Sequence, residues 1–332
     1  VLRIRPGHGW TAHRPGQFTT LGVDVDGVRH HRSYTITSLP EAPARSSLPE
    51  LPARYIEVTV QAHRGGLVSE HLVHDAKVGD VVTLDGPSGG FTLPDRLDDP
   101  ILFLSGGSGL TPIMAMLRHL VTRSMSGNGV PPIHPDVRVI HFVRRPEDLL
   151  FGGELAALGA AMPWLDVDVV TTRDERGRRV GEVHLCRGRL DVLCPDWRTR
   201  DTMACGPTEL LVEAESLWAA AGCSPRLRVE SFGVHPSAAH LGGGADASSR
   251  VSARFSRSGR SAEAAADRPL LVVAEDAGAL PAAGCRMGLC HTCTTELTDG
   301  AVVDLRDGRR SEARRHVQLC VSAALTDVTL EL

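Results

Sequence analysis

Hydrophobic and polar positions change their period along the chain. Over residues 1–97 the apolar positions fall in short alternating runs, Gln17–Val23, Ser33–Ser38, Tyr55–His63 and Val81–Asp85, broken by Pro-Gly, Asp-Gly and Gly-Pro turns. Strands this short, at this spacing, predict a small antiparallel barrel. From Pro100 the pattern is different. Ile101–Ser105 is a nearly continuous apolar run, as in a strand buried on both faces of a parallel sheet. Gly106–Pro112 follows, and then an amphipathic helix over Ile113–Leu120, with Thr111 placed to cap it and Pro112 suited to its first turn. Further strands at Val137–Val143, Leu165–Thr171 and Thr202–Cys205, with a helix at Gly153–Ala161, make the alternation of a doubly wound parallel sheet. Residues 233–250 are rich in Gly, Ala and Ser and show no apolar period, which predicts a flexible linker. Val251–Arg260 then reads as the start of a hairpin. Four segments result: 1–97, 98–232, 233–250 and 251–332.

Composition narrows the choice of function. At 332 residues two or three domains are expected, and 42% hydrophobic with 23% charged residues describes a soluble globular protein. A net charge of −4 gives no electrostatic footprint for nucleic acid. Arginine far outnumbers lysine, a bias of a GC-rich coding sequence. No run of 18 apolar residues and no charged-then-apolar leader occurs, so neither an integral membrane segment nor a signal peptide is expected. The chain opens on Val1, without Met and already in a strand-like run, and so reads as a fragment or a processed chain.

Eight cysteines could suggest a disulfide set until they are placed. Cys186, Cys194, Cys205 and Cys223 are scattered through the strand–helix segment, where buried free thiols are ordinary. The other four have a pattern: Cys285, four residues, Cys290, two residues, Cys293, then a long gap to Cys320. That is plant-type ligand spacing for a [2Fe–2S] cluster. Gly284 and Gly288 suit a loop that must hug the cluster and turn its amides toward the sulfurs. A structural zinc site also uses four cysteines, but usually as close pairs, not a triplet with a distant fourth. A labile cluster and free thiols both fit a reducing cytoplasm. This segment resembles a plant-type ferredoxin.

Other candidates are weak singly. Arg32, Ser33, Tyr34 and Thr35 form one strand tetrapeptide, ordinary by itself, with Arg32 and Tyr34 on one face. Gly65 and Gly66 lead through Leu67, Val68 and Ser69 into a short helix whose N-terminal amides favour phosphate. Gly106, Gly107, Ser108, Gly109 and Thr111 form a loop between a buried strand and a helix, with proline where the dinucleotide fingerprint has its third glycine. Cys205, Gly206 and Pro207 follow a later strand. An acid after the second strand would hold an NAD ribose, but Arg144 stands there. Thr172 and Arg173 end the next strand, and the two arginines could clamp a 2′-phosphate, although Glu147, Asp148 and Asp174 lie close in sequence.

In this order, the motifs resemble those of the ferredoxin–NADP reductase superfamily, and more narrowly the bacterial reductases with a C-terminal [2Fe–2S] domain that serve oxygenases and fatty-acyl desaturases. The resemblance covers nearly the whole chain. It implies an antiparallel β-barrel flavin domain, an α/β parallel-sheet nucleotide domain and an α+β β-grasp ferredoxin domain. The family's barrel begins with a strand upstream of Val1, so the barrel here is expected to lack its first strand. By resemblance Arg32 pairs with a flavin phosphate, Tyr34 packs on the isoalloxazine, and Thr35 places its hydroxyl near flavin N5. The family's Gly-x-x-Ser segment matches Gly66–Ser69 and implies binding of the flavin phosphates, and Pro15–Phe18 is similar to the family's Pro-Gly-Gln-Tyr/Phe strand. The Gly106–Thr111 loop takes the nicotinamide pyrophosphate, Cys205 sits beside nicotinamide C4, and Thr172-Arg173 is similar to the Ser-Arg of NADP-binding relatives. The implied cofactors are FAD, with FMN as the alternative, a [2Fe–2S] cluster on Cys285, Cys290, Cys293 and Cys320, and NADPH in preference to NADH. The implied reaction carries electrons from NAD(P)H through flavin and cluster to an acceptor protein with a di-iron or Rieske centre. A reductase for a separate ferredoxin or a cytochrome-type haem monooxygenase is the alternative, and a non-catalytic redox sensor is a third. The intact hydride-relay residues argue against the sensor. The expected partners are a nicotinamide nucleotide and a redox protein, with the chain itself a monomer.

Overall fold

The structure, a computed structural model, describes residues 1–25, 27–40, 55–62, 66–97, 99–125, 136–174, 185–232, 250–265, 268–284, 286, 288, 291–306 and 308–332. The chain divides into two compact units, Val1–Leu21 with Tyr34–Glu230, and Gly22–Ser33 with Ser231–Leu332. Of the expected linker only Arg250 lies among the described residues.

The alternating runs at the start do form strands. β1 (Leu2–Ile4), β2 (Phe18–Val25), β3 (Val28–Thr35), β4 (Ile56–Val58) and β5 (Thr83–Leu84) make a two-stranded antiparallel sheet, β1-β4, and a three-stranded sheet in the order β3-β2-β5. Among the described residues these sheets do not close into one barrel. Single bridges, Ile36 to Val58 and Phe18 to Ser88, continue the pairing where the ladders stop. Gly16 shows how tightly this region packs. Its φ is +99°, and a side chain there would meet the Phe91 carbonyl oxygen at 2.1 Å, so neither the backbone angle nor the space admits another residue. The expected short helix is α1 (Leu67–Glu70), which runs on into a π-type turn over His71–Asp75.

The parallel sheet is as the apolar runs foretell. β6 (Ile101–Gly106), β7 (Val137–Val143), β8 (Leu165–Thr171), β9 (Asp201–Cys205) and β10 (Leu227–Glu230) lie in the order β10-β9-β6-β7-β8, all parallel. Helices α2 (Leu110–Ser124), α3 (Gly152–Ala161), α4 (Arg187–Leu193) and α5 (Thr208–Ala220) alternate with the strands. Side chains of β6 alternate between two apolar layers. Ile101 and Phe103 pack with Ile113, Leu117 and Leu155, while Leu102 and Leu104 pack with Leu190, Leu211 and Trp218. One expectation fails here. α2 begins at Leu110, not Ile113, because a 3₁₀ turn over Gly107–Gly109 feeds straight into it, and its N-cap is Gly109 without a side-chain cap. Thr111 is therefore inside the first turn and does not cap the helix.

The second unit holds the hairpin of β11 (Arg250–Phe255) and β12 (Arg260–Ala265), then α6 (Leu270–Asp276). β13 (Thr294–Asp299), β14 (Ala301–Asp304), β15 (Arg310–Glu312), β16 (Arg315–Gln318), β17 (Ser322–Ala324) and β18 (Val328–Leu330) complete it. The larger sheet runs β12-β11-β18-β13-β16, with β11 and β18 parallel and the other pairs antiparallel. A smaller sheet runs β15-β14-β17. Phe255, Leu271, Leu297, Leu319 and Leu330 form its core.

Candidate nicotinamide and cluster sites

At the C-terminal ends of the parallel strands the glycine loop lies on the segment after β9. A side chain at Gly109 would stand 2.1 Å from the Cys205 carbonyl oxygen, one at Gly106 would stand 2.8 Å from Pro207 Cδ, and one at Gly206 would stand 2.9 Å from the Gly106 nitrogen. These glycines exist so that two backbones can touch. Gly107 differs: its φ is +54° and nothing lies within 4 Å of where its side chain would be, which leaves the amides of the turn accessible to a ligand. Arg144 and Arg173 meet at the far strand ends. The Arg173 amide donates to the Arg144 carbonyl at 3.0 Å, and the Thr172 amide and hydroxyl both donate to the Val143 carbonyl, at 2.9 and 3.3 Å. Arg144 is exposed, while Glu147 is occupied by Arg145 at 3.8 Å.

The strand carrying Thr35 reaches this loop. Thr35 and Thr111 are both buried, with their hydroxyl oxygens 3.1 Å apart. Thr111 also donates to the Ser108 carbonyl at 2.9 Å, so the proton between the two hydroxyls comes from Thr35. Arg118 of α2 holds the same region by donating to the Thr37 carbonyl at 2.6 Å and, through two bonds of 2.7 Å, to Glu154. Farther along the chain the Ser69 hydroxyl donates to the Gly66 carbonyl at 3.0 Å, Val68 is buried and Leu67 is exposed. Arg32 donates to the His31 carbonyl at 2.8 Å, and both Arg32 and Ser33 belong to the second unit, whereas Tyr34 belongs to the first. Gly65 lies outside the described residues.

In the second unit Cys293 and Cys320 are buried together, and the Cys320 amide points at Cys293 Sγ from 3.4 Å. Hydrogen bonding by the Cys320 side chain, and then by its amide, pulls the Cys293 thiol below its ordinary range. Gly288, with φ of +73°, has its carbonyl clamped by Arg306 Nη1 at 2.9 Å and by Gln318 Nε2 at 3.0 Å. Asp304 holds Arg306 in place through bonds of 3.0 and 2.7 Å. Arg286 and His291 of the same loop also take positive φ, and Arg286 pairs with Glu275 of α6. Cys285 and Cys290 lie outside the described residues. A buried pair of cysteines, one receiving the other's amide, beside a loop bent by left-handed residues, fits a thiolate-held iron–sulfur cluster.

Comparison with known proteins assigns each part. Residues 11–93 match the oxidoreductase FAD-binding domain, 103–215 the oxidoreductase NAD-binding domain, and 254–325 the 2Fe-2S iron-sulfur cluster binding domain. A curated relative, an NADPH oxidoreductase of Mycobacterium tuberculosis, is 40% identical over 338 residues, covering 100% of this chain and 80% of its own. The chain belongs to the flavin- and NAD-dependent reductases with a C-terminal 2Fe–2S domain. A glycine betaine monooxygenase reductase subunit of Chromohalobacter salexigens is 28% identical, with 96% of this chain and 87% of that one covered. Among solved structures, phthalate dioxygenase reductase shares the fold with a TM-score of 0.58 at 24% identity, covering 97% of this chain and 89% of its own. Among the described residues no helix of the reductase is long and apolar enough to cross a membrane.

The reductase also has three buried groups, Cys205, Ser105 and His141, and a half-buried one, Glu230, that lie in one row. Glu230, Cys205, Ser105 and His141 are in register across β10, β9, β6 and β7, so four neighbouring strands each put one side chain in a single row on the same face. Burial holds the Cys205 thiol well above its ordinary range, so it stays protonated. Ser105 Oγ lies 2.9 Å from His141 Nδ1, and burial pushes the ring down to about 4, keeping it neutral. Removal from water pushes the Glu230 carboxyl up to about 8. The one sequence signal for Glu230 is its place at the carboxyl end of a short strand after the last helix of the segment. A carboxyl ionised above pH 4.5 in the unfolded chain and only above about 8 in the folded one takes up a proton on folding between those values. Stability of the wild-type reductase should therefore fall as pH rises from 5 to 8. Glu230→Gln removes that loss, so its advantage in thermal midpoint should widen with pH. Midpoints that run parallel across the range would count against a neutral Glu230.

Proposed function

We infer that this chain is the reductase component of an oxygenase or desaturase system, taking a hydride from NADPH and handing single electrons to an acceptor protein with a di-iron or Rieske-type centre. The observation that carries this reading is the 3.1 Å contact between the Thr35 and Thr111 hydroxyls, which joins the strand assigned to flavin with the loop assigned to nicotinamide, above a protonated Cys205. In this reading the N-terminal sheets belong to a flavin barrel and the mixed sheet with α6 to a β-grasp. Arg32, Ser33, Tyr34 and Gly65–Ser69 hold FAD, Gly106–Gly109 and Gly206-Pro207 hold the nicotinamide pyrophosphate, and the four cysteines hold the cluster. The cofactors supply the division of a two-electron hydride into single electrons. The residues supply position and dryness: Thr35 orients, and Cys205 presents a neutral, water-excluded surface to the reacting carbon. The names of relatives that are monooxygenase reductase subunits support the acceptor class, and the free thiols support a reducing cytoplasm. In the test, NADPH bleaches the flavin and cluster bands of the holoprotein. They should return rapidly when a di-iron or Rieske oxygenase with its substrate is added. Faster return with a separate ferredoxin or a haem monooxygenase would favour the alternative acceptors.

NADPH is proposed over NADH. Arg144 is exposed and in backbone contact with Arg173, Glu147 is paired with Arg145, and the relative at 40% identity is an NADPH oxidoreductase. Guanidinium forks at these two strand ends match a 2′-phosphate. Arg173→Ala should raise the KM for NADPH by on the order of tenfold, about 1.4 kcal/mol, and leave that for NADH nearly unchanged. Equal losses with both nucleotides would show that Arg173 does not read the phosphate.

A further inference from the structure

Half of the ten arginines in residues 251–332 fall within ten positions, 306 to 315. They are not equivalent. Arg306 is turned inward, with its guanidinium on Asp304, Gln318 and the Gly288 carbonyl of the cluster loop. Arg310, Arg314 and Arg315 are exposed and form no ion pair among the described residues. His316 beside them is exposed too. Elsewhere in this unit arginines are mostly spent on partners: Arg250 on Glu263, Arg257 on Glu331, Arg268 on Asp276 and Arg286 on Glu275. Arg315 and His316 open β16, which ends at Gln318, two residues before Cys320, while Arg310 opens β15 and Arg314 lies in the turn between the two strands.

Arg314 is held there at a local cost. Its φ is +68°, a conformation for which glycine is the ordinary choice, and its amide donates to the Leu297 carbonyl at 2.6 Å. A glycine would make the same turn without strain. A long cation in its place, between two other unpaired cations, suits a role outside the fold.

We propose that Arg310, Arg314 and Arg315 form the surface on which the acceptor protein docks, and that the docking face of that acceptor is acidic. The proposal rests on the reading above, that electrons leave through the cluster to a protein. The transfer moves one electron from the reduced cluster to an oxidised metal centre of the acceptor, with no proton and no bond made or broken. The arginines draw the acidic face in and orient it over the cluster loop. Unpaired charges act over about 10 Å at 0.1 M salt and raise encounter rates by about tenfold or more.

The test uses the holoprotein with cytochrome b5 as an acidic acceptor and cytochrome c as a basic one. Without nucleotide, calorimetric titration with oxidised cytochrome b5 should give a Kd that weakens on the order of tenfold in Arg310→Glu/Arg315→Glu, with iron and sulfide content unchanged. With NADPH, cytochrome b5 reduction by the wild type should slow as salt rises, and cytochrome c reduction should not. In the double variant that order should reverse, while ferricyanide reduction stays as it was. Arg314→Gly relieves the turn, so it should keep or raise the thermal midpoint and still weaken cytochrome b5 binding about twofold. Unchanged Kd and salt dependence in these variants would overturn the proposal. So would slower cluster reduction by NADPH in the double variant, which would assign the patch to contacts within the chain. If a Cys293→Ser protein, lacking the cluster, reduced cytochrome b5 at the wild-type rate, the reading that the cluster is the exit would fail, whatever the arginines do.

Discussion

Replacing Cys293 with serine is expected to leave a chain that still oxidises NADPH with ferricyanide but no longer reduces cytochrome c. Cys293 is buried, receives the Cys320 amide, and has its thiol held below the ordinary range by Cys320. A serine oxygen in its place is a harder and far more basic ligand, poorly matched to iron held by sulfur. The wild type should carry about two irons and two acid-labile sulfides per chain. The variant should carry almost none, and its visible spectrum should reduce to that of a flavin. Because Cys293 lies in the second unit and the Thr35–Thr111 contact in the first, hydride transfer should survive. Zinc in place of iron in the wild type, or wild-type cytochrome c reduction by the variant, would end the iron–sulfur assignment.

Gly109→Ala should be the most damaging single methyl in the glycine loop after β6. The added carbon would sit 2.1 Å from the Cys205 carbonyl oxygen, 2.5 Å from its carbon and 2.8 Å from the Gly206 nitrogen. All three are backbone atoms, so relief requires the loop or β9 to move. Overpacking of this kind costs about 1–3 kcal/mol, and a displacement near 1 Å between reacting groups costs about 100-fold in rate. Flavin reduction by NADPH, followed by stopped flow, should therefore fall by about that factor while flavin content is kept. Gly107→Ala is the comparison. It meets no atom within 4 Å and pays only for its positive φ, so its loss should be much smaller. Equal rates in Gly109→Ala and wild type would remove the loop from the site.

What could be read from the sequence followed from local chemistry. The cysteine spacing, the continuous apolar run of β6 and the Cys205-Gly206-Pro207 corner each state their surroundings in a few residues, and the structure brings the last two together. What could not be read depended on where distant segments meet. Thr111 looks like a cap by its position, yet its hydroxyl serves Ser108 and Thr35 because the preceding 3₁₀ turn starts the helix early. Strand alternation over residues 1–97 was legible, but barrel closure depends on pairings such as Ile36 with Val58 that no local pattern encodes. Glu230 and His141 belong to no local motif. Only the strand register aligns them in one row with Cys205 and Ser105.

That register has an evolutionary reading. Each of the four side chains in the row comes from the closing residues of its own strand and none comes from a connecting loop. Segments beyond the strand ends can lengthen, shorten or change their sequence without shifting the row, since the ladder of parallel bonds fixes it. A chain built this way can take new contacts with acceptor or nucleotide at its periphery without moving the inner groups apart.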